Sequence, residues 1–152
     1  MATIHFHETT HATPEEFVAA LTDFGPGRSE LFANSADDHL TVHERGPEEA
    51  DVTEGSHGIW ERLHYDWSKP NTIVMTTTDS NLWGGRSGHT YTLTRQPDGI
   101  TDIDVVIRRV GKNVKGRLLA GFLGTAGAGA LMAAFDDTVR AIDARHDGAL
   151  VC

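Results

Sequence analysis

The chain has 152 residues, the size of one domain, so residues 1–152 are expected to form a single domain. Lys+Arg 13 against Asp+Glu 22 gives a formal charge of −9, which argues against a phosphate-backbone binder and so against a nucleic-acid partner. Hydrophobic residues at 39% supply a core, and the one cysteine, Cys152, excludes an intrachain disulfide framework and a Cys-rich zinc module; it fits a reducing, cytoplasmic setting. The N-terminus lacks a basic region followed by an apolar run, so no secretory signal is expected.

Thr3 to Thr10 alternates, with Ile4 and Phe6 on one face and His5 and His7 on the other, the pattern of a half-buried strand. His11 and His43 add to the imidazoles, but spacing sets no third zinc ligand and the His5/His7 face points outward; surface histidines and no metal site are expected. Thr13-Pro14-Glu15-Glu16 opens a helix through an N-cap, a proline at the first helical position and a capping box. Phe17, Val18, Leu21 and Phe24 form its apolar face, Gly25-Pro26-Gly27 stops it, and a second short helix is expected at roughly Ser29 to Asn34. Strands follow at Leu40–Arg45, Ala50–Glu54, Gly58–Trp67, Thr72–Asp79, His89–Arg95 and Thr101–Val110, separated by turn signals such as Lys69-Pro70-Asn71 and Pro97-Asp98-Gly99. The spacing predicts one long helix from about Lys115 to Arg145.

Within it, Leu118 to Phe135 runs 18 residues without a charge, four of them Gly and six Ala. This weak hydrophobicity, and the flanking Lys115, Arg117, Asp136 and Asp137, favour a buried helix with close backbone contacts over a membrane span. The fold class is therefore α+β: a curved, seven-stranded antiparallel sheet wrapped around a long C-terminal helix, with two short helices after strand one. Such a sheet and helix enclose space between them.

This order resembles the START-like or SRPBCC superfamily, the helix-grip fold of polyketide cyclases and of the birch-pollen allergen. The resemblance runs from Ile4 to about Arg145. It rests on the Ala12-Thr13-Pro14-Glu15-Glu16 helix start, the glycine-punctuated meander and the C-terminal helix ending Val139-Arg140-Ala141-Ile142. The stretches Tyr65–Pro70, Thr78–Gly85 and Ser87–Tyr91 look like a subfamily fingerprint. Members bind apolar ligands, carry lipids, or cyclise and dehydrate polyketides, and they share no catalytic set, so the resemblance implies a container without naming its contents.

Pleat alternation selects the residues facing that container. A threonine row (Thr90, Thr92, Thr94) suits solvent and sends His89, Tyr91 and Leu93 inward. Ile59, Glu61, Leu63, Tyr65 and Trp67 share the more apolar face of their strand; Ile103, Val105, Ile107 and Arg109 share one face of theirs. His89, Tyr91 and Glu61 are the candidate catalytic groups. Tyr65, Trp67, Leu93, Arg109 and Phe122 are candidate ligand contacts. In the nine-residue loop Ser80–Gly88, Trp83 reads either as an apolar lid hinged on Gly84 and Gly85 or as a plug at the core edge, and Asn81 and Arg86 are placed to meet a polar ligand end. An inward Glu61 and Arg109 equally read as a structural ion pair, and His89 as a satisfied core histidine.

The leading expectation is a cytoplasmic protein binding a small, mostly apolar molecule, lipid or polyketide-like, with no cofactor. The alternatives are a metal-free cyclase or dehydratase using His89 and Tyr91, and a protein-interaction module built on the Gly/Ala-rich helix. Exposed sheet edges also permit a homodimer.

Overall fold

Seven antiparallel strands hydrogen-bond into one sheet in the order β1-β7-β6-β5-β4-β3-β2: β1 (Ala2–Thr10), β2 (Thr41–Arg45), β3 (Glu49–Ser56), β4 (Ile59–Asp66), β5 (Thr72–Ser80), β6 (Gly88–Arg95) and β7 (Thr101–Arg109). The computed structural model describes residues 2–25, 40–56, 58–124 and 127–151; the short helix expected near Ser29 to Asn34 lies outside the described residues. Strands β2 to β7 follow one another as a meander, and β1 pairs with β7, joining the chain's first strand to its last. Between Arg62 and Leu63 the β4–β5 register shifts, a bulge of the kind that bends and twists a sheet.

The expected alternation holds. Glu61, Leu63 and Tyr65 are buried on β4, His89, Tyr91 and Leu93 on β6, and Ile103, Val105, Ile107 and Arg109 on β7. Helix α1 (Pro14–Leu21) begins on the expected capping box: Glu16 N donates to Thr13 Oγ1 at 3.1 Å, and Thr13 N donates to Glu16 Oε1 at 3.4 Å. It buries Phe17 and Leu21. The outward histidines of β1 sit beside β7 carboxylates, His5 3.7 Å from Asp104 and His7 3.4 Å from Asp102. Among the described residues no three His, Cys, Asp or Glu side chains come together as a metal site.

The single helix expected from Lys115 to Arg145 is two helices, α2 (Val114–Leu123) and α3 (Ala128–Val151), turned 74° from one another. Gly124 caps α2, and Gly127 follows within three residues; glycine is about 1 kcal/mol worse than alanine in a helix, so this stretch is where a long helix is easiest to interrupt. Helix α3 lays Phe135, Val139 and Ile142 on the sheet. Phe135 meets Phe6 edge-on at 5.3 Å between ring centres and lies 6.0 Å from Tyr91 and 6.4 Å from Phe17. Asp143 ties α3 to the end of β1, accepting from Thr10 Oγ1 at 2.5 Å and His11 N at 2.8 Å.

The break also changes the burial expected of Leu118–Phe135. Ala120 is buried, but Leu118 and Phe122 are 72% and 53% exposed. Among the described residues no single helix is long and apolar enough to cross a membrane.

Candidate functional site

Between the sheet's inner face and the α2–α3 corner lies a cavity of about 300 Å³, room for on the order of ten waters. Leu63, Met75, Trp83, Leu119, Leu123 and Leu131 give it apolar walls; Glu54, Glu61, His89 and Arg109 are its polar groups. Those four come from β3, β4, β6 and β7, each set inward by the two-residue period of its strand.

Arg109 holds the cluster together. Its Nη1 donates to Glu61 Oε2 at 2.7 Å, and its Nη2 donates to His89 Nε2 at 2.8 Å. Its guanidinium lies 5.1 Å over the Trp83 ring, a cation–π contact. Thr77 Oγ1 adds a second donor to Glu61 Oε2 at 2.7 Å. Glu61, His89 and Arg109 are each 8% exposed, so an unpaired charge here would be costly.

Burial works against the charged form of Glu61, but Arg109 and the hydrogen bonds it and Thr77 donate outweigh burial and hold the carboxyl below its ordinary range. At His89 burial and the Arg109 charge act together and push the imidazole down to about 3, so it is neutral at physiological pH. Arginine offers only donors, so Nε2 must accept and the proton of the neutral ring sits on Nδ1. That Nδ1 is buried and meets no partner among the described residues. A buried unmet donor costs about 1–3 kcal/mol, and the ring that carries it lines the cavity.

Glu54 is a cavity residue that sequence reasoning passed over. It stands directly opposite Glu61 in the β3–β4 ladder, is 5% exposed, and accepts a hydrogen bond from Tyr65 Oη. The signal was present: Ala50, Val52 and Glu54 alternate inward along β3.

The other candidates divide into three groups. Tyr65, Tyr91 and Leu93 are buried in the main core beside the cavity: Tyr65 packs edge-on to Phe24 at 5.0 Å, and Tyr91 stacks on His89 at 6.3 Å. Trp67 lies elsewhere, in a separate cleft of about 810 Å³ by α1, where Arg45 sits 5.6 Å over its ring and 5.4 Å over Phe24. The filled core around Tyr65 separates that cleft from the Glu61–Arg109 cluster.

Asn81, Arg86 and Phe122 are not in the cavity wall. Asn81 locks the β3–β4 turn instead, accepting from Trp60 N at 3.1 Å and donating to Gly58 O at 2.7 Å. Arg86 is exposed beside Thr90 and Arg108, and Phe122 projects from α2 while its neighbours Leu119 and Leu123 line the cavity.

Trp83, 4% exposed, is a wall of the cavity rather than an open lid. Ser80 Oγ accepts from Leu82 N and Trp83 N at 3.1 and 3.2 Å, and Gly84 N donates to Val110 O at 2.8 Å. A Cβ on Gly116 would stand 2.2 Å from Leu82 O, so only glycine lets α2 pack this closely on the loop.

No family model matches the chain, and no curated protein matches it. Solved structures do. A START superfamily protein from Mycobacterium smegmatis superposes with a TM-score of 0.69 at 12% identity, over 93% of this chain and 99% of that one. The Zhui aromatase/cyclase from Streptomyces sp. R1128 gives 0.73 at 12% identity, over 94% of each chain. The Aha1 dimer from Colwellia psychrerythraea gives 0.59 at 14% identity, over 91% and 97%. With a seven-stranded antiparallel sheet closed by a long C-terminal helix and superposing along nearly its whole length on these proteins, the chain has the START-like, helix-grip fold.

Proposed function

We propose that the chain binds a small, mostly apolar molecule in the 300 Å³ cavity, with the Glu61–Arg109–His89 cluster facing its polar end. The observation that carries this reading is the cavity itself: apolar walls around a few convergent, buried polar groups, one of which keeps an unmet N–H. A guest with a hydrogen-bond acceptor, such as a carbonyl or carboxyl oxygen, would set it toward the Arg109–His89 side of the cavity. The START-like neighbours include one protein named as an aromatase/cyclase, which is consistent with a small organic guest.

The cluster suits holding a guest better than acid–base turnover. A general acid or base works best with a pKa near the operating pH, whereas His89 stays neutral down to about 3 and its Nε2 is taken by Arg109. Glu61 is equally committed, to Arg109 and Thr77.

Native mass spectrometry of the purified protein, with organic extraction of anything released, tests the proposal. A bound apolar compound in the wild type, lost in Leu123→Trp, which fills the cavity from α2, is the expected result. If the wild type is empty and a panel of fatty acids, polyketides and aromatic probes leaves its melting temperature unmoved, the proposal is wrong.

A further inference from the structure

Helix α2 carries apolar side chains on two sides. Leu119 and Leu123 turn to the cavity, and Val114, Leu118 and Phe122 turn outward, 72%, 72% and 53% exposed. The outward three are spaced i, i+4, i+8, so they form one stripe along the helix. Phe122 rests against Gly127 at the turn after α2 yet stays half-exposed, and the helix is held from its other side, where Gly116 and Ala120 are buried.

Charge along this segment is opposite to that of the whole molecule. Lys112, Lys115 and Arg117 are exposed around the start of α2, and residues 105 to 135 contain no Asp or Glu, in a chain of net charge −9. Among the described residues one carboxylate from outside the segment reaches it, Asp79 at 3.5 Å from Lys112, and Lys115 and Arg117 are the exposed cations beside the stripe.

We propose that this face of α2 docks on an anionic lipid surface, the stripe entering the headgroup–acyl boundary and Lys115 and Arg117 meeting lipid phosphates. A row of large apolar residues flanked by cations, on a helix too short to span, is the pattern of an interfacial helix. The positive local charge selects an anionic surface over a neutral one. Docking there sets the wall of the cavity, Leu119 and Leu123, one helix thickness from the apolar phase. The proposal stands on the exposed stripe and its charges and does not need the cavity to be occupied.

Flotation of the full chain with vesicles of phosphatidylcholine alone, and of phosphatidylcholine with phosphatidylglycerol, tests it. The wild type is expected to float with the anionic vesicles and not with the neutral ones. Neutralising Lys115→Gln with Arg117→Gln lowers the partition coefficient roughly thirtyfold, and Leu118→Ser with Phe122→Ser abolishes flotation. All four side chains are exposed, so the variants are expected to keep the wild-type fold, which circular dichroism checks. Failure of the wild type to float, or flotation undiminished in both variants, overturns the proposal. So does sedimentation showing a wild-type dimer that Leu118→Ser with Phe122→Ser converts to monomer, because a second copy then covers the stripe.

Discussion

Arg109 has three buried neighbours at once: the Glu61 carboxylate, the His89 ring nitrogen and the face of Trp83. Replacing it with methionine keeps much of the volume and strands Glu61 without its counter-charge. Arg109→Met is therefore expected to cost about 3–5 kcal/mol in urea unfolding. Adding Glu61→Gln to Arg109→Met removes the stranded charge and recovers much of that loss; a double variant as unstable as the single one would contradict the ion-pair account. His89 leaves a second signature. Unfolded, it takes a proton near 6.5, and folded it stays neutral to about 3. Between those values the unfolded chain binds more protons, so His89 makes stability fall as pH drops through that window, by up to about 1.4 kcal/mol per pH unit. Glu61, held below its ordinary 4.5, contributes stability above that pH and loses it only further into acid. Glu8, whose carboxyl burial raises, acts with the opposite sign in this window, so it is the comparison of wild type with His89→Gln in chemical unfolding from pH 6.5 to 4.5 that isolates the histidine. His89→Gln, whose amide oxygen still accepts from Arg109, is expected to show the shallower decline, and equal slopes would refute the buried neutral ring.

Helix α2 is set by two kinds of glycine. Gly116 is packed against the Leu82 carbonyl, whereas a Cβ on Gly121 meets nothing within 4 Å. Gly116→Ala is expected to destabilise by about 1–3 kcal/mol, because the helix must lift off the Trp83 loop. Gly121→Ala is expected to stabilise by up to about 1 kcal/mol through helix propensity alone. Thermal unfolding of the pair checks both signs; a stabilising Gly116→Ala would mean that α2 does not rest on the loop. The strands were legible because their alternation is regular: inward positions of β4, β6 and β7 identified Glu61, His89 and Arg109 before any contact was known. The break between α2 and α3 was harder to place, since Ala, Leu and Met continue the helical composition on both sides of Gly124 and Gly127.

Across the whole molecule, the cavity couples ligand to stability. A guest that binds only the folded chain adds about 2.7 kcal/mol at a hundred times its dissociation constant. The melting temperature should therefore rise with the concentration of a true ligand in the wild type and stay flat in Leu123→Trp. A parallel rise in both would place the ligand elsewhere, for example in the cleft containing Trp67 and Arg45. The sequence by itself determined the order of the strands, the capping box of α1 and the inward or outward sense of positions on β1, β4, β6 and β7, because cap chemistry and a two-residue period are local properties. Tertiary structure alone decided which inward residues share a space. Tyr65 and its neighbours fill the middle of the sheet and leave Trp67 in another cleft; Glu54 faces Glu61 only through the β3–β4 register; Asn81 is used up by a turn; and Phe122 points out because α2 parts from α3. Each of these depends on the packing of segments distant in the chain, which no local pattern encodes.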